Sequence, residues 1–340
     1  MPDSSTPRKA PARLVAIGGG TGLSTLLRGI KEYVAPRPED AARYPLHDLV
    51  AVVTVSDDGG SSGRLRREYS MLPPGDVRNC LVALSQDEAL MGRLFQYRFH
   101  AGRGLRGHSF GNLFLTALSH VTGDFTRAVR VSSEVLAIRG RIFPSTNQLT
   151  TLEAVLENGK ILTGESRIGA TPMPIRRVRL TPRNAKPLPE VLEAIASADL
   201  IVLGPGSLYT SVIPNLLVCG VAEAIEKSPA TRVYISNIMT QPGETRGYTL
   251  VDHVKAIHRH AGRKLVDWII VNNKPVGADV ARRYRSKGSE PVDAQLKELQ
   301  RLGLRCVFDS LVETNGVIRH DPNRLAKLLI EEFVRNDPGR

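Results

Sequence analysis

The sequence predicts an α/β fold with an open, mostly parallel sheet covered by helices on both faces. Short apolar runs alternate along the chain with segments in which apolar residues recur at helical spacing. The runs are continuous rather than interrupted by polar residues, which is typical of strands buried on both faces of a parallel sheet. Four of them end in loops rich in small and polar residues.

Composition limits the classes of protein to which the chain can belong. Of its 340 residues, 41% are hydrophobic and 24% are charged, which is ordinary for a folded globular protein. The apolar runs are too short for a transmembrane helix, and the polar start lacks the apolar stretch of a secretory signal. Three scattered cysteines without C-x-x-C spacing favour a reducing, cytoplasmic location and no zinc cluster.

An excess of basic residues predicts an anionic partner. Lys and Arg number 46 against 34 Asp and Glu, which gives a formal net charge of +12. Aromatic residues make up only 5% of the chain, too few for the stacking platforms of proteins that bind single-stranded nucleic acid. A phosphorylated small ligand is therefore favoured over nucleic acid.

The first part of the chain predicts two strands, each followed by a glycine-rich loop. Residues 1–12 are polar and proline-rich, and we expect them to form a disordered tail. Residues 14–17 form an apolar run that ends in 18–22, and a helical pattern follows. Residues 49–55 are the next buried strand, and 56–63 are too rich in Gly and Ser to continue it.

The middle of the chain interrupts the alternation of strands and helices. Asn158-Gly159 between two extended runs predicts a β-hairpin, whereas residues 171–189, with five prolines, predict an irregular connection. We therefore expect an inserted region at about 130–190. No fixed-period repeat or clear linker is visible, so residues 13–335 are expected to form a single domain.

The second part of the chain repeats the pattern of strand and polar loop. Residues 199–203 run into the loop 204–211, and the strand 232–235 ends at 236–240. Ligands of open α/β sheets bind beyond the carboxyl ends of the strands. The four polar loops therefore predict one cleft lined by backbone N–H groups.

The loop after the first strand is the strongest candidate for a phosphate site. It consists of Gly18, Gly19, Gly20, Thr21 and Gly22. Because a helix follows, its N–H groups and its dipole would both favour an anion. The pattern is neither G-x-G-x-x-G nor a P-loop, so it gives no support to a nicotinamide dinucleotide or to ATP hydrolysis. The alternative is a tight turn in which glycine is needed for packing alone.

Acidic and hydroxyl residues follow the second strand. Asp58, together with Asp76 from the start of the next helix, would supply two carboxylates to one Mg²⁺, and both are also candidate catalytic residues. The alternative is an Asx-turn followed by a helix N-cap. Ser61 and Ser62 would cover the bound anion.

Other polar residues are candidates for the cleft wall. His108 is a candidate general acid–base, or else a histidine bonded to a loop carbonyl. Ser207 does not lie in G-x-S-x-G, so its loop favours a nucleotide-binding turn over a nucleophilic serine. The remaining candidates in these segments are Asn79, Asn112, Gly206, Tyr209, Thr210, Asn237 and Thr240.

Two residues near the C-terminus complete the candidate set. Tyr284 lies in RRYRSKGSEPV and Arg319 in GVIRHD. A tyrosine can stack on a base and an arginine can pair with a diphosphate. Taken singly, each is equally well explained as a surface residue.

Six segments taken together resemble the signatures of a known family. They are GGGTGLSTLLRGIK, TVSDDGGSSGRLR, PPGDVRNCLVAL, GHSFGNLFLTAL, DLIVLGPGSLYTSVIPNLLV and SNIMTQPGET. Over residues 13–335 the chain is similar to the YvcK-type gluconeogenesis factors, within the wider family of the 2-phospho-L-lactate transferase CofD. The resemblance implies a single CofD-like nucleotide-binding domain with a Rossmann-like three-layer αβα fold.

The resemblance implies one of two functions. YvcK-type members bind UDP-sugars such as UDP-N-acetylglucosamine without an established reaction, and are linked to cell shape, cell-wall homeostasis and growth on gluconeogenic carbon sources. The transferase branch uses Mg²⁺ to move a phospholactate-type group from a nucleotide-linked donor, and its metal carboxylates match Asp58 and Asp76. The SDDGGSSGRLR and PPGDVRNCL forms favour the first branch. The tail motifs RYRSKGSEPV and VIRHD also resemble that branch, which implies that Tyr284 and Arg319 contact a UDP-sugar.

The same resemblance sets the expected partners. The expected ligand is a nucleotide-sugar, Mg²⁺ is left open as a cofactor, and a protein of cell-wall synthesis is left open as a partner. Neither nucleic acid nor a membrane span is expected. A homo-oligomer is also left open, because one sequence shows no self-complementary patch.

Overall fold

The computed structural model describes residues 11–314 and 317–336 and contains two kinds of sheet. Its strands are β1 (Ala12–Gly18), β2 (Leu46–Val53), β3 (Arg141–Pro144), β4 (Thr151–Leu156), β5 (Ile161–Thr163), β6 (Ile175–Thr181), β7 (Leu200–Leu203), β8 (Thr231–Ile235), β9 (Trp268–Asn272), β10 (Arg305–Asp309), β11 (Val312–Thr314) and β12 (Ile318–His320). Seven strands form one sheet in the order β10-β9-β8-β7-β1-β2-β3, and every neighbouring pair in it is parallel. The predicted parallel sheet is confirmed.

Helices connect these strands and cover the sheet. They are α1 (Gly20–Ile30), α2 (Gly60–Tyr69), α3 (Gly75–Leu84), α4 (Glu88–Gln96), α5 (Phe110–Thr122), α6 (Phe125–Val135), α7 (Glu165–Gly169), α8 (Pro189–Ser197), α9 (Ile213–Leu216), α10 (Val221–Lys227), α11 (Leu250–Ala261), α12 (Ala278–Arg285), α13 (Leu296–Arg301) and α14 (Pro322–Leu329). In the part of the chain that the structure describes, no single helix has the length and apolar composition to cross a membrane; only the bent pair Leu208–Leu216 and Val221–Lys227 meets that test.

The main sheet separates two hydrophobic cores, because successive side chains of a strand point to opposite faces. In β1, Leu14 and Ala16 belong to the core beneath α1, α3 and α14, whereas Val15 and Ile17 belong to the core beneath α8 to α11. Burial on both faces explains why the strands are continuous apolar runs. The three-layer αβα architecture is confirmed.

A separate antiparallel sheet, in the order β5-β4-β6, lies within residues 151–181. The turn between β4 and β5 contains Asn158-Gly159, and Gly159 has a φ of +81°, as the predicted hairpin requires. The expected irregular connection over 171–189 is wrong in part, because β6 occupies 175–181. Its buried residues Ile175, Val178 and Leu180 join the core despite the flanking prolines.

The expected N-terminal tail lies outside the described residues over 1–10. Ala12 begins β1, and its N–H donates to the carbonyl oxygen of Pro45 at 2.9 Å. Ala12 is therefore part of the sheet, and the prediction of a tail over residues 1–12 is wrong at this residue.

Helix α1 packs against the start of α14 through a glycine. A Cβ on Gly29 would lie 1.9 Å from the Pro322 carbonyl oxygen and 3.0 Å from the Ala326 side chain. Only a residue without a side chain permits this approach. The packing fixes α14 against the helix that begins at the glycine-rich loop.

The Gly29→Ala variant should be destabilised by about 1–3 kcal/mol, because the added methyl group forces the two helices apart. Urea unfolding measures the change. Gly169→Ala is the matched control, since a Cβ there meets no atom within 4 Å, and it should leave stability unchanged or slightly higher. Equal stability of Gly29→Ala and Gly169→Ala would show that the two helices do not pack so closely.

Candidate functional site

A cleft of about 560 Å³ lies at the carboxyl ends of β1, β7 and β8. Its walls come from the loops after these strands, from the segment around α12 and from β12. The lining residues are Gly19, Gly20, Thr21, Gly22, Thr25, Glu165, Pro205, Gly206, Ser207, Ser211, Asn237, Ile238, Met239, Thr240, Gln241, Pro242, Tyr284, Lys287, Ser289, Ile318, Arg319 and His320. A cleft of this size is in the range of small-molecule sites.

The glycine-rich loop forms the floor of the cleft. A Cβ on Gly22 would lie 2.3 Å from the Pro205 carbonyl oxygen, and one on Gly19 would lie 2.4 Å from the Thr54 methyl carbon. The glycines are therefore needed for packing, which was the alternative explanation, and they also expose backbone to the cleft. Gly18 lies just beneath the lining, where its carbonyl oxygen accepts from the Asn215 side chain at 3.1 Å.

The N-cap residue of α1 is Gly19, which has no side chain with which to cap the helix. The Gly20 N–H donates to the carboxylate of Asp76. An anion at this helix end would meet the favourable end of the helix dipole. It would also meet the negative charge of Asp76 whenever that carboxyl is ionised.

The loops after β7 and β8 meet across the cleft. The Gln241 side-chain nitrogen donates to the Ser207 hydroxyl at 2.7 Å, and the Thr240 hydroxyl accepts from the Glu290 N–H at 2.9 Å. Asn237 lines the same wall. Four of the predicted residues line this part of the cleft, namely Gly206, Ser207, Asn237 and Thr240.

Tyr209 and Thr210 lie behind the loop rather than in the cleft lining. Both residues are buried. The Tyr209 hydroxyl is 2.8 Å from that of Tyr248, and the Thr210 hydroxyl donates to the buried carboxylate of Glu244 at 2.8 Å. They support the loop from below, because the chain forms a π-helical turn over Leu208–Val212 that directs them inward.

Tyr284 and Arg319 line the opposite wall. The Tyr284 hydroxyl accepts from the Ile318 N–H at 2.9 Å, so it joins α12 to the strand that carries Arg319. Arg319 is exposed, and Lys287 adds a second cation to this wall. Lys287 lies in the RRYRSKGSEPV segment but is not among the residues that the sequence predicted for the site.

The lining residues that the sequence did not single out include two more titratable ones, Glu165 and His320. Burial and nearby carboxylates hold the pKa of Glu165 well above its ordinary value. Burial lowers the pKa of His320 to about 4, so its ring is uncharged at neutral pH. Glu165 lies in the expected inserted region, and nothing in its sequence context indicated that this region reaches the cleft.

The remaining predicted residues form a neighbouring polar network beyond β2. The Asn112 amide donates to the Ser62 hydroxyl at 3.3 Å, and the Ser61 hydroxyl lies 3.0 Å from His108 Nδ1. Burial, followed by the charge of Arg64, lowers the pKa of His108 and keeps its ring neutral. These residues do not line the 560 Å³ cleft.

The Arg78 guanidinium organises this network. It donates to the side-chain oxygen of Asn79 at 2.8 Å, to that of Asn112 at 3.0 Å and to the Ser109 hydroxyl at 2.6 Å. Arg78 thus fixes two of the predicted residues at the starts of α3 and α5.

Asp58 and Asp76 face different partners. Asp58 Oδ1 accepts from the Ser166 N–H at 2.9 Å, whereas Asp76 faces Gly19 and Gly20. Asp57 forms the Asx-turn, since its Oδ1 accepts from the Gly59 N–H at 2.8 Å.

The positions of the acidic side chains show whether this region could bind a divalent cation. In residues 11–314 and 317–336, no group of three or more His, Cys, Asp or Glu lies close enough to hold a metal ion. Mg²⁺ often uses only one or two carboxylates together with ligand phosphates. Asp76 fits that role better than Asp58, because Asp76 borders the glycine loop whereas Asp58 contacts Ser166.

Comparison with known proteins identifies the family. The model of the family described as 2-phospho-L-lactate transferase CofD matches residues 14–312. The chain belongs to the CofD family. It is 48% identical over 320 residues to the gluconeogenesis factor of Bacillus subtilis strain 168, covering 94% of this chain and 97% of that protein.

Further relatives place the chain in the gluconeogenesis-factor group of this family. It is 49% identical over 319 residues to the gluconeogenesis factor of Halalkalibacterium halodurans, covering 94% of this chain and 95% of that protein. A crystal structure of a UPF0052 family member from Bacillus halodurans superposes with a TM-score of 0.88 at 48% identity, covering 95% of this chain and all of that one. The family and fold implied by the sequence motifs are confirmed.

The protonation of Asp76 should make stability depend on pH. Burial, reinforced by the charge of Asp57, raises its pKa to about 7. Between its ordinary pKa of about 3.9 and this value, the folded state binds more protons than the unfolded state, so its contribution to stability falls as pH rises, by at most about 1.4 kcal/mol per pH unit. The contribution is complete below the lower pKa and lost above the higher one.

The Asp76→Asn variant removes this titration, so its stability relative to the unchanged protein should rise between about pH 4 and about pH 7. Urea unfolding across this range measures the difference. Asp279→Asn is the control for the loss of one charge, because the Asp279 side chain is 96% exposed. A difference for Asp76→Asn that stays constant with pH would contradict the raised pKa.

Proposed function

We propose that the protein binds a UDP-sugar, of the UDP-N-acetylglucosamine class, in the 560 Å³ cleft and acts as a regulatory protein. The observation that carries the proposal is the arrangement of the cleft walls. The start of α1, whose N-cap residue Gly19 has no side chain, lies on the floor, and Tyr284, Lys287 and Arg319 line the wall beside it. This combination suits a nucleoside diphosphate, which needs anion donors and a surface for its base.

Each wall has a separate role in the proposal. The N–H groups at the start of α1 other than that of Gly20, together with the Arg319 guanidinium, would hold the diphosphate, since charged hydrogen bonds are the strong ones. The Tyr284 ring would stack on the base, because its hydroxyl is already held by the Ile318 N–H. Ser207 and Asn237 would bind the remaining hydroxyl and carbonyl groups of the ligand.

The regulatory role rests on the relatives. Two proteins that are 48% and 49% identical to this chain carry the name gluconeogenesis factor. We propose a cytoplasmic role in cell shape and cell-wall homeostasis on gluconeogenic carbon sources, with a protein of cell-wall synthesis as the partner that receives the signal.

The alternative is a Mg²⁺-dependent transferase that moves a phospholactate-type group from a nucleotide-linked donor. The observation that favours it is the position of Asp76 beside the glycine loop, with Glu165 in the lining of the same cleft. Bound Mg²⁺ would neutralise and orient the phosphate oxygens. Asp76 would hold the ion, and Glu165, with its raised pKa, would hold a proton near the reacting group.

The Arg319→Ala variant should bind UDP-N-acetylglucosamine at least about tenfold more weakly, because a hydrogen bond to a charged group contributes about 1.5–3 kcal/mol. Isothermal titration calorimetry measures the affinity. Arg282→Ala is the matched control: it removes an exposed arginine that lies on α12 outside the cleft lining and pairs with Asp279 at 3.1 Å. Unchanged affinity of Arg319→Ala, or equal losses in the two variants, would remove Arg319 from the site.

A further inference from the structure

The inserted antiparallel sheet reaches the cleft through one short helix. Strands β4, β5 and β6 lie within residues 151–181, and α7 follows β5 directly. Among residues 151–181, all of which the structure describes, only Glu165 at the start of α7 lines the cleft. The insertion therefore contributes a single carboxyl group to the site.

Close packing at both ends holds α7 in place. Gly164, which precedes the helix, has a φ of +95°, and a Cβ there would lie 1.9 Å from Asp58 Oδ2. The Ser166 N–H donates to Asp58 Oδ1 at 2.9 Å. At the other end, a Cβ on Gly243 would lie 1.8 Å from the Gly169 carbonyl oxygen. The helix is thus packed between the loop after β2 and the loop after β8, which fixes where its first residue lies.

Contacts also connect Glu165 to the glycine-rich loop on the cleft floor. Its Oε2 accepts from the Ser56 hydroxyl at 3.5 Å, and that hydroxyl lies 3.2 Å from the Thr54 hydroxyl. The Thr54 methyl carbon packs against Gly19, where an added Cβ would overlap it. Glu165 is therefore held beside the floor on which the diphosphate is proposed to lie.

The charge around Glu165 is negative. Burial, and then four neighbouring carboxylates, raise the pKa of Glu165 above its ordinary value. The four carboxylates are those of Asp76, Asp57, Glu244 and Asp58. A further negative charge at the same place would be disfavoured for the same reason. The cations of the cleft, Lys287 and Arg319, line the other wall.

A UDP-sugar bound as proposed above would place its sugar at Glu165. Its base would lie on Tyr284, and its diphosphate would lie between Arg319 and the start of α1. Because the diphosphate separates the base from the sugar, the sugar would extend away from Tyr284. The glycine loop and Glu165 line that side of the cleft.

Resting on the proposed function, we infer that Glu165 is a specificity-determining residue, through which the cleft selects a nucleotide-linked sugar without charge over one that carries a carboxylate. The Glu165 side chain can accept hydrogen bonds from the hydroxyl groups of an uncharged hexose. A hexuronate would instead place its own carboxylate beside Glu165 and the acids around it, where like charges repel. Selection against the wrong sugar then comes from repulsion as well as from better contacts with the right one.

UDP-glucose and UDP-glucuronate are the matched ligands for a test, because they differ only at C6 of the sugar, which carries a hydroxyl in one and is a carboxylate in the other. Isothermal titration calorimetry at about pH 8, with EDTA to remove divalent cations, measures the affinity for each. The unchanged protein should bind UDP-glucose at least about tenfold more tightly, since like charges a few ångströms apart repel strongly within a protein site.

The Glu165→Gln variant keeps a hydrogen-bonding side chain but removes its charge. It should bind UDP-glucuronate about tenfold more tightly than the unchanged protein does, and UDP-glucose within about threefold of the unchanged affinity. Glu165→Asp keeps the charge and should keep the preference. Glu157→Gln is the matched control and should also keep it, because Glu157 is exposed in the turn between β4 and β5, outside the cleft lining.

Equal affinities of the unchanged protein for the two ligands would overturn the inference, and so would an unchanged preference in Glu165→Gln. An equal loss of both ligands in Glu165→Gln would also overturn it, because that result shows a structural role alone. In each case, continued binding of UDP-N-acetylglucosamine to the unchanged protein would leave the proposed function standing. Failure of the unchanged protein to bind UDP-N-acetylglucosamine would instead contradict the proposed function, and with it the role of Glu165.

Discussion

The cleft depends on one close contact, between the glycine-rich loop after β1 and the loop after β7. A Cβ on Gly22 would overlap the Pro205 carbonyl oxygen, so the two loops can touch only through backbone. Asn215 reinforces the contact from beneath, because its side-chain nitrogen donates to the carbonyl oxygens of Gly18 and Ser211 at 3.1 and 2.8 Å. This packing places the start of α1 on the cleft floor, and the rest of the site is arranged around it.

The charges of the cleft are divided between its two sides. Asp76 and Glu165 lie near the glycine loop, and both have raised pKa values, chiefly because burial disfavours their charged forms. Lys287 and Arg319 lie on the opposite wall. A diphosphate in the cleft would be attracted by Lys287 and Arg319. It would be repelled by Asp76 and Glu165 unless these carboxyl groups are protonated or paired with a cation. Binding of the proposed diphosphate would therefore be coupled to proton uptake.

Much of the fold can be predicted from local sequence patterns, whereas the set of residues that line the cleft cannot. Continuous apolar runs and small polar loops predict parallel strands and a strand-end site, because both signals lie within short segments. The order of strands in the sheet is set by long-range packing. That order puts the loops after β1, β7 and β8 side by side, and it puts Ser62, His108 and Asn112 in a neighbouring network beyond β2. The prediction that Tyr209 lines the site is wrong for a local reason, because a π-helical turn over Leu208–Val212 directs its side chain into the core.

Calorimetric titration of the protein with UDP-N-acetylglucosamine and with GDP, each with and without Mg²⁺, tests the central claim most directly. The account predicts micromolar binding of the UDP-sugar in preference to GDP, with the UDP-sugar recovered unchanged after long incubation. Preference for GDP that is strengthened by Mg²⁺ would contradict it and would favour the transferase instead.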